Sequence, residues 1–292
     1  MILRSIGGHT VSVLEELQNQ LGFEHFYLWG GYNHYQSWAL DAYSRMILER
    51  KTVICAETPL IGRGLFDAHD INSYYRVGIG TVSSQLYKNF NLPKSAKIDR
   101  LLSIFKNTSV NLKDWRQDGD HILYAMQVPA DSSLRGLDIF AAAQYDLLKI
   151  RQISKRPIKI ALHPDLQKDW GMDNFRENSK HFERFKVIAE LVGAHIQLGG
   201  SKAALEGCWC VVCYTSGFSF DSIAEGVPVI TLSEGNFMSP ICSHNIYDLE
   251  NPFIPDEEEK FNWLSRIAYC QWSVDEIRNG MLKSHFSDIL SI

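Results

Sequence analysis

The stretch from Trp209 to Thr231 constrains the fold of this chain more than any other. An apolar run, Trp209-Cys210-Val211-Val212-Cys213-Tyr214, ends in Thr215-Ser216-Gly217. A helix-forming segment with Asp221 in its first turns follows, and Gly226-Val227-Pro228 leads into a second apolar run. Two short apolar runs joined by a helix specify a β-α-β unit, because parallel strands need a crossover that no hairpin supplies. Hydroxyls and a glycine at the strand-to-helix turn suit a phosphate, whose charge is favoured by the N–H groups and dipole of a helix start. An acid one to two turns further on can reach sugar hydroxyls, so a nucleotide fits this chemistry.

The same alternation recurs along the chain. Strands are predicted over Ile2–Arg4, Phe26–Trp29, Thr52–Cys55, His121–Met126, Pro157–Leu162, His195–Leu198, Val211–Tyr214 and Val229–Leu232. Helices are predicted over Val11–Asn19, His34–Glu49, Lys97–Phe105, Asp138–Ile150, His181–Leu191, Lys260–Gln271 and Val274–Lys283. Residues 64–95 show little periodicity, and Asn107–Gly119 is polar with few regular signals. The expected architecture is therefore α/β, with two Rossmann-like domains over 1–118 and 119–292, the closing helices in the second, and a cleft between them.

Composition excludes several classes. With 292 residues and 45% hydrophobic content the chain can bury a sizeable core, and disorder is excluded. No apolar run approaches the roughly 20 residues that span a bilayer, and the start lacks a long apolar signal region, so a cytoplasmic location is expected. A net charge of −5 gives no general attraction to nucleic acid or anionic lipid. Three of six cysteines crowd into Cys208-Trp-Cys210-Val-Val-Cys213, but in a strand 208 and 210 share one face and 213 takes the other. Buried reduced thiols are expected rather than a metal centre.

Four polar positions close predicted strands, where open α/β sheets bind ligands: Glu57, Asp131, His163 and Thr215-Ser216. Proline after His163 holds that residue in extended geometry, where its imidazole can bind a phosphate or protonate a leaving group. Hydroxyls flanking Asp131, in Gln127-Val-Pro-Ala-Asp131-Ser-Ser133, suit an ionised nucleophile. Glu57 lies in the other half, and two carboxylates across a cleft are the minimum for nucleophilic attack at a sugar carbon plus activation of an acceptor. Gly7-Gly8-His9-Thr10 is either a tight turn or a second ligand loop on the acceptor side. Asp118-Gly119-Asp120 spells a metal-binding Asp-x-Asp, yet it precedes its strand and is expected to be a turn. Trp29, Tyr32, His34, Tyr35 and Trp38 either stack on a sugar or base or form the buried side of a helix.

Taken together, these motifs resemble the bacterial capsular-polysaccharide β-Kdo transferases, retaining enzymes with a modified GT-B-like pair of Rossmann domains. The resemblance rests on Trp29-Gly30 after an early strand, Glu57 after the next, Gln127-x-x-x-Asp131-x-Ser133, and His163-Pro164-Asp165. It continues through Thr215, Ser216, Phe220 and Asp221 at a helix start, Gly226-x-Pro228-Val229, and Tyr269 to Trp272. It implies a nucleotide-sugar-dependent retaining glycosyltransferase working by double displacement, with an acceptor-side first domain and a donor-binding second domain. Asp131 would be the nucleophile and Glu57 the acceptor-side base; His163 and Ser216 would hold the donor phosphate, and Asp221 the ribose. Gln127, Ser133, Pro164, Thr215 and Phe220 would line the nucleotide site, and Arg63, Trp29, Gly8 and His9 the sugar or acceptor side. The implied donor is CMP-Kdo and the implied acceptor a glycan or glycolipid, consistent with a peripheral membrane location, with no metal and no further cofactor required.

The chain departs from that family at Ser73–Gly80, which lacks its acidic loop, and at Ser233–Pro240, which replaces an aromatic stretch. Both segments are expected near sugar and acceptor. A second expectation therefore keeps the fold and mechanism but takes another nucleotide sugar and a hydroxylated base in phage DNA as acceptor. A third is an inactive nucleotide-sugar-binding module.

Overall fold

The computed structural model describes residues 2–4, 9–29, 48–66, 73–80, 90–129, 131–163, 172–198 and 201–290. The chain forms two compact units, one of residues 1–110 with 261–292 and one of residues 111–260. The first unit contains β1 (Ile2–Arg4), α1 (His9–Leu21), β2 (Phe26–Trp29), β3 (Val53–Glu57), β4 (Tyr74–Ile79) and α2 (Ile98–Thr108). The second contains β5 (His121–Ala125), α3 (Ile139–Ile153), β6 (Ile158–Ala161), α4 (Met172–Val192), β7 (His195–Gln197), α5 (Ser201–Leu205), β8 (Cys208–Cys213), α6 (Phe218–Ala224) and β9 (Val229–Thr231). The chain returns to the first unit through α7 (Glu257–Ile267), β10 (Gln271–Ser273), α8 (Val274–Arg278) and α9 (Met281–Leu290).

The sheet of the second unit is parallel throughout, in the order β7-β6-β5-β8-β9. That is the doubly wound Rossmann order, in which the winding reverses between the first and fourth strands, here β5 and β8. Both central strands are buried along nearly their whole length, as expected of strands covered on both faces. Asp138 caps α3, accepting from the N–H of Phe140 (3.0 Å) and Ala141 (3.3 Å), and Ile139, Phe140, Ala143, Leu147 and Ile150 turn one face of the helix into the core.

The first unit departs from the expected Rossmann layout. Its order is β1-β2-β3-β4-β10; β1 to β3 are parallel, but β4 runs antiparallel to β3, and β10 antiparallel to β4. The expected boundary also shifts from 118 to 110, and the closing helices belong here rather than to the second domain. The reason is burial. Trp272, Val274, Ile277, Leu282 and Phe286 join Leu14, Leu17, Tyr27, Trp29 and Tyr75 in one apolar cluster, and α8 packs on α1. Arg100 of α2 locks the returning chain, donating to the carbonyl of Gln271 (2.7 Å) with its guanidinium 4.0 Å from the Trp272 ring. A capping box between Ser273 and Glu276 starts α8.

All six cysteines are free and buried, and burial pushes the thiols of Cys208, Cys213 and Cys270 up to about 12. No described helix is long and apolar enough to cross a membrane.

Candidate functional site

The carboxyl ends of β5 and β8 lie side by side at the winding reversal. A network of polar side chains joins them. Gln127, two residues beyond β5 and 4% exposed, accepts the N–H of Thr215 at its Oε1 (2.8 Å). Its Nε2 donates to Thr215 Oγ1 (2.7 Å) and to Ser133 Oγ (3.2 Å), and the two hydroxyl oxygens are 2.7 Å apart. Ser133 in turn gives both its N–H (2.8 Å) and its hydroxyl (2.6 Å) to Asp131 Oδ1.

Proton bookkeeping fixes the direction of this network. Ser133 has one hydroxyl proton and spends it on Asp131, so the Thr215 hydroxyl donates to Ser133 while accepting from Gln127. Every donor in the chain then points toward Asp131 Oδ1, while Oδ2 has no partner among the described residues. One carboxylate oxygen is therefore anchored and the other is not. Gln127, Asp131, Ser133 and Thr215 are thus brought together in one hydrogen-bond network.

The turn after β8 carries further constraints. Ser216 Oγ accepts the N–H of Phe218 (3.2 Å) and opens α6. Asn236, 0% exposed, is a hub that the sequence did not signal. Its Nδ2 donates to the carbonyls of Tyr214 (2.7 Å) and Ser216 (3.2 Å), and its Oδ1 accepts from Ser219 Oγ and Met238 N, both at 2.8 Å. A loop asparagine satisfied inside the fold leaves no periodic trace in the sequence. Asn236 ties the 233–240 loop directly to the Thr215-Ser216 turn.

Other predicted positions divide clearly. His163 is half-buried and follows β6, next to β5 on the same sheet edge. Asp221 is half-buried on α6. Phe220 is 1% exposed, so its ring packs the core and offers a ligand no surface; this corrects its assignment to the nucleotide site. Gly226 (φ +73°) closes α6 in the left-handed region, and a Cβ there would come within 2.0 Å of the Asp114 carbonyl oxygen. Close backbone passage of the 113–116 segment demands that glycine. Pro164 and Gly8 lie outside the described residues, as does the His9 side chain.

In the first unit, Glu57 ends β3 opposite Arg76 of β4, with Arg76 Nη2 2.7 Å from Glu57 Oε2. Arg76 also donates from Nε to the Thr58 carbonyl (2.6 Å). Gln271 Oε1 accepts the N–H groups of Leu60 (3.1 Å) and Ile61 (2.9 Å), so β10 holds the loop that follows Glu57. Arg63 is exposed on the next turn. Trp29 is 5% exposed and meets Tyr75 edge-on at 5.9 Å, so it is core rather than a sugar platform.

Asp118-Gly119-Asp120 is irregular backbone leading into β5, without an assigned turn. A Cβ on Gly119 would lie 2.5 Å from the backbone of Trp209, and Asp120 N donates to the Gly207 carbonyl (2.8 Å). It borders a 570 Å³ pocket at the amino ends of the strands, where Arg156 stacks over Trp209 at 4.6 Å and donates to the Gly119 carbonyl (2.6 Å). Among the described residues no three His, Cys, Asp or Glu side chains are grouped to hold a metal ion.

The chain matches no protein-family profile and no curated protein. Among solved structures it is similar to KpsC of Thermosulfurimonas dismutans, a β-Kdo 2,7 transferase, at 14% identity and a TM-score of 0.48, covering 93% of this chain and 88% of that one.

Proposed function

We propose that this protein is a retaining, nucleotide-sugar-dependent glycosyltransferase of GT-B-like plan, with the donor held at the carboxyl edge of the β5 to β9 sheet. The observation that carries the proposal is the Gln127–Thr215–Ser133–Asp131 network at the winding reversal, which anchors one oxygen of Asp131 beside the turn best suited to a nucleotide phosphate. In the first step Asp131 Oδ2 attacks the anomeric carbon. The bond to the phosphate oxygen breaks, and the nucleotide leaves with that electron pair. His163 and Ser216 serve the departing phosphate, and Asp221 the ribose. In the second step Glu57 takes the proton of an acceptor hydroxyl, whose oxygen displaces Asp131 and restores the original anomeric configuration.

CMP-linked Kdo is the proposed donor and a glycan or glycolipid the proposed acceptor, on the strength of the sequence motifs. The experiment is a calorimetric screen of CMP, UDP and GDP, followed by transfer assays with wild type and Asp131→Ala. The expected result is binding of one nucleotide, transfer by wild type only, nucleotide binding retained by the variant, and a retained anomeric configuration in the product. An inverted product would overturn double displacement, transfer by the variant would overturn the role of Asp131, and no nucleotide binding at all would overturn the donor site.

A further inference from the structure

Asp146 lies in the middle of α3, 6% exposed, on the helix face that carries Ala143, Leu147 and Ile150 into the core. An apolar residue would pack there without the cost of burying a carboxyl group. Instead, Asp146 Oδ2 accepts two phenol hydroxyls, from Tyr124 at 2.7 Å and from Tyr214 at 2.8 Å. The two phenols differ in what they are attached to. Tyr124 is 0% exposed in the middle of β5, where the strand ladders already fix it. Tyr214 is the first residue beyond β8 and directly precedes Thr215 and Ser216. Its backbone carbonyl is held by Asn236, and the next N–H is held by Gln127.

The turn after β8 is therefore fixed from three sides: by the 233–240 loop through Asn236, by the residues after β5 through Gln127, and by α3 through Asp146. Burial holds the Asp146 carboxyl above its ordinary range, and the two phenol hydrogen bonds offset only part of that rise. We propose that Asp146 is a positioning residue for the donor site: through Tyr214 it holds the Tyr214–Ser216 turn in the conformation that receives the nucleotide phosphate. This rests on the donor site proposed above.

Tyr214→Phe and Tyr124→Phe test it as a matched pair, since each removes one hydrogen bond to the same oxygen. Two measurements are made on the full chain: hydrogen–deuterium exchange of the 214–218 amides, which needs no ligand, and calorimetric titration with CMP. Tyr214→Phe is expected to speed exchange in that segment and to weaken CMP binding, each about tenfold, the loss of one hydrogen bond to a buried acceptor. Tyr124→Phe is expected to change neither by more than about twofold. Asp146→Leu, which keeps the branching at Cγ but offers no acceptor, should match Tyr214→Phe in exchange. Equal effects from the two tyrosine variants would show a bond that only supports the core and would overturn the proposal, as would unchanged exchange in Tyr214→Phe. If wild type binds no nucleotide, the functional reading fails by itself, and the exchange measurement alone decides the positioning role.

Discussion

Removing Gln127 should destabilise the second unit, and its cost can be worked out bond by bond. Gln127→Ala deletes the acceptor of the Thr215 N–H and the donor to the hydroxyls of Thr215 and Ser133. Thr215 is only 8% exposed, so its N–H is left largely without water, at about 1–3 kcal/mol. Of the two lost side-chain bonds, the 2.7 Å bond to Thr215 adds about 1 kcal/mol and the 3.2 Å bond to Ser133 little, since the hydroxyls still have each other. The expected destabilisation is about 3 kcal/mol. Thr215→Val keeps the shape but removes Oγ1, and should cost about 1–2 kcal/mol. Because the Gln127–Thr215 side-chain bond is broken by either change, the double variant should fall short of the sum by about 1 kcal/mol. Equilibrium unfolding in guanidinium of the wild type and three variants gives the cycle from midpoint shifts at constant slope. Additivity within about 0.5 kcal/mol, or a Gln127→Ala cost below about 1 kcal/mol, would refute the network described here.

Gly226→Ala combines a left-handed backbone with a Cβ placed 2.0 Å from the Asp114 oxygen, and should lower stability by about 3 kcal/mol in the same unfolding assay. Arg76→Met leaves the Glu57 carboxylate without its partner in a mostly buried setting and should cost about 2 kcal/mol, read as a fall in melting temperature. Ellman's reagent at pH 8 should label no native cysteine and all six after denaturation, because the thiols are buried and those at about 12 are ionised in only about one molecule in ten thousand. Burial lowers the pKa of both His121 and His285, so the unfolded chain binds more protons below its own value of about 6.5. Their contribution to stability is complete above that pH and is lost as pH falls toward the folded values. His285→Gln should flatten part of that slope in melting curves taken between about pH 7 and 5.

The second unit was legible in the sequence because each of its strands is a short apolar run between helices, and the period of the pattern changes at every boundary. The first was less so. Tyr74-Tyr75-Arg76-Val77-Gly78-Ile79 is buried on both faces, so β4 lacks the polar-apolar alternation that marks a strand, and its glycine reads as a breaker. β10 is three residues long and falls between two segments expected to be helices, overlapping the first only at Gln271. Its pairing with β4 joins positions nearly 200 residues apart, which no local pattern encodes. Around the candidate site, the strand-end rule singled out Asp131 and Thr215, since it depends only on where strands stop. It could not find Asn236, Asp146 or Arg76, whose roles arise from contacts between elements distant in sequence. Short motifs misled at Trp29 and Phe220, where an aromatic serves the core.

The antiparallel pairing of β10 with β4 also dictates an order of assembly. The chain leaves the first unit at residue 110 and re-enters it at 261, so during synthesis the entire second unit emerges before the first can receive its last strand and helices. Residues 111–260 can fold as they leave the ribosome, whereas β1 to β4 must wait with an open edge at β4 and an uncovered face on α1. Premature termination just before Phe261 would release a finished second unit attached to an unfinished first one with a bare strand edge, a species prone to aggregate.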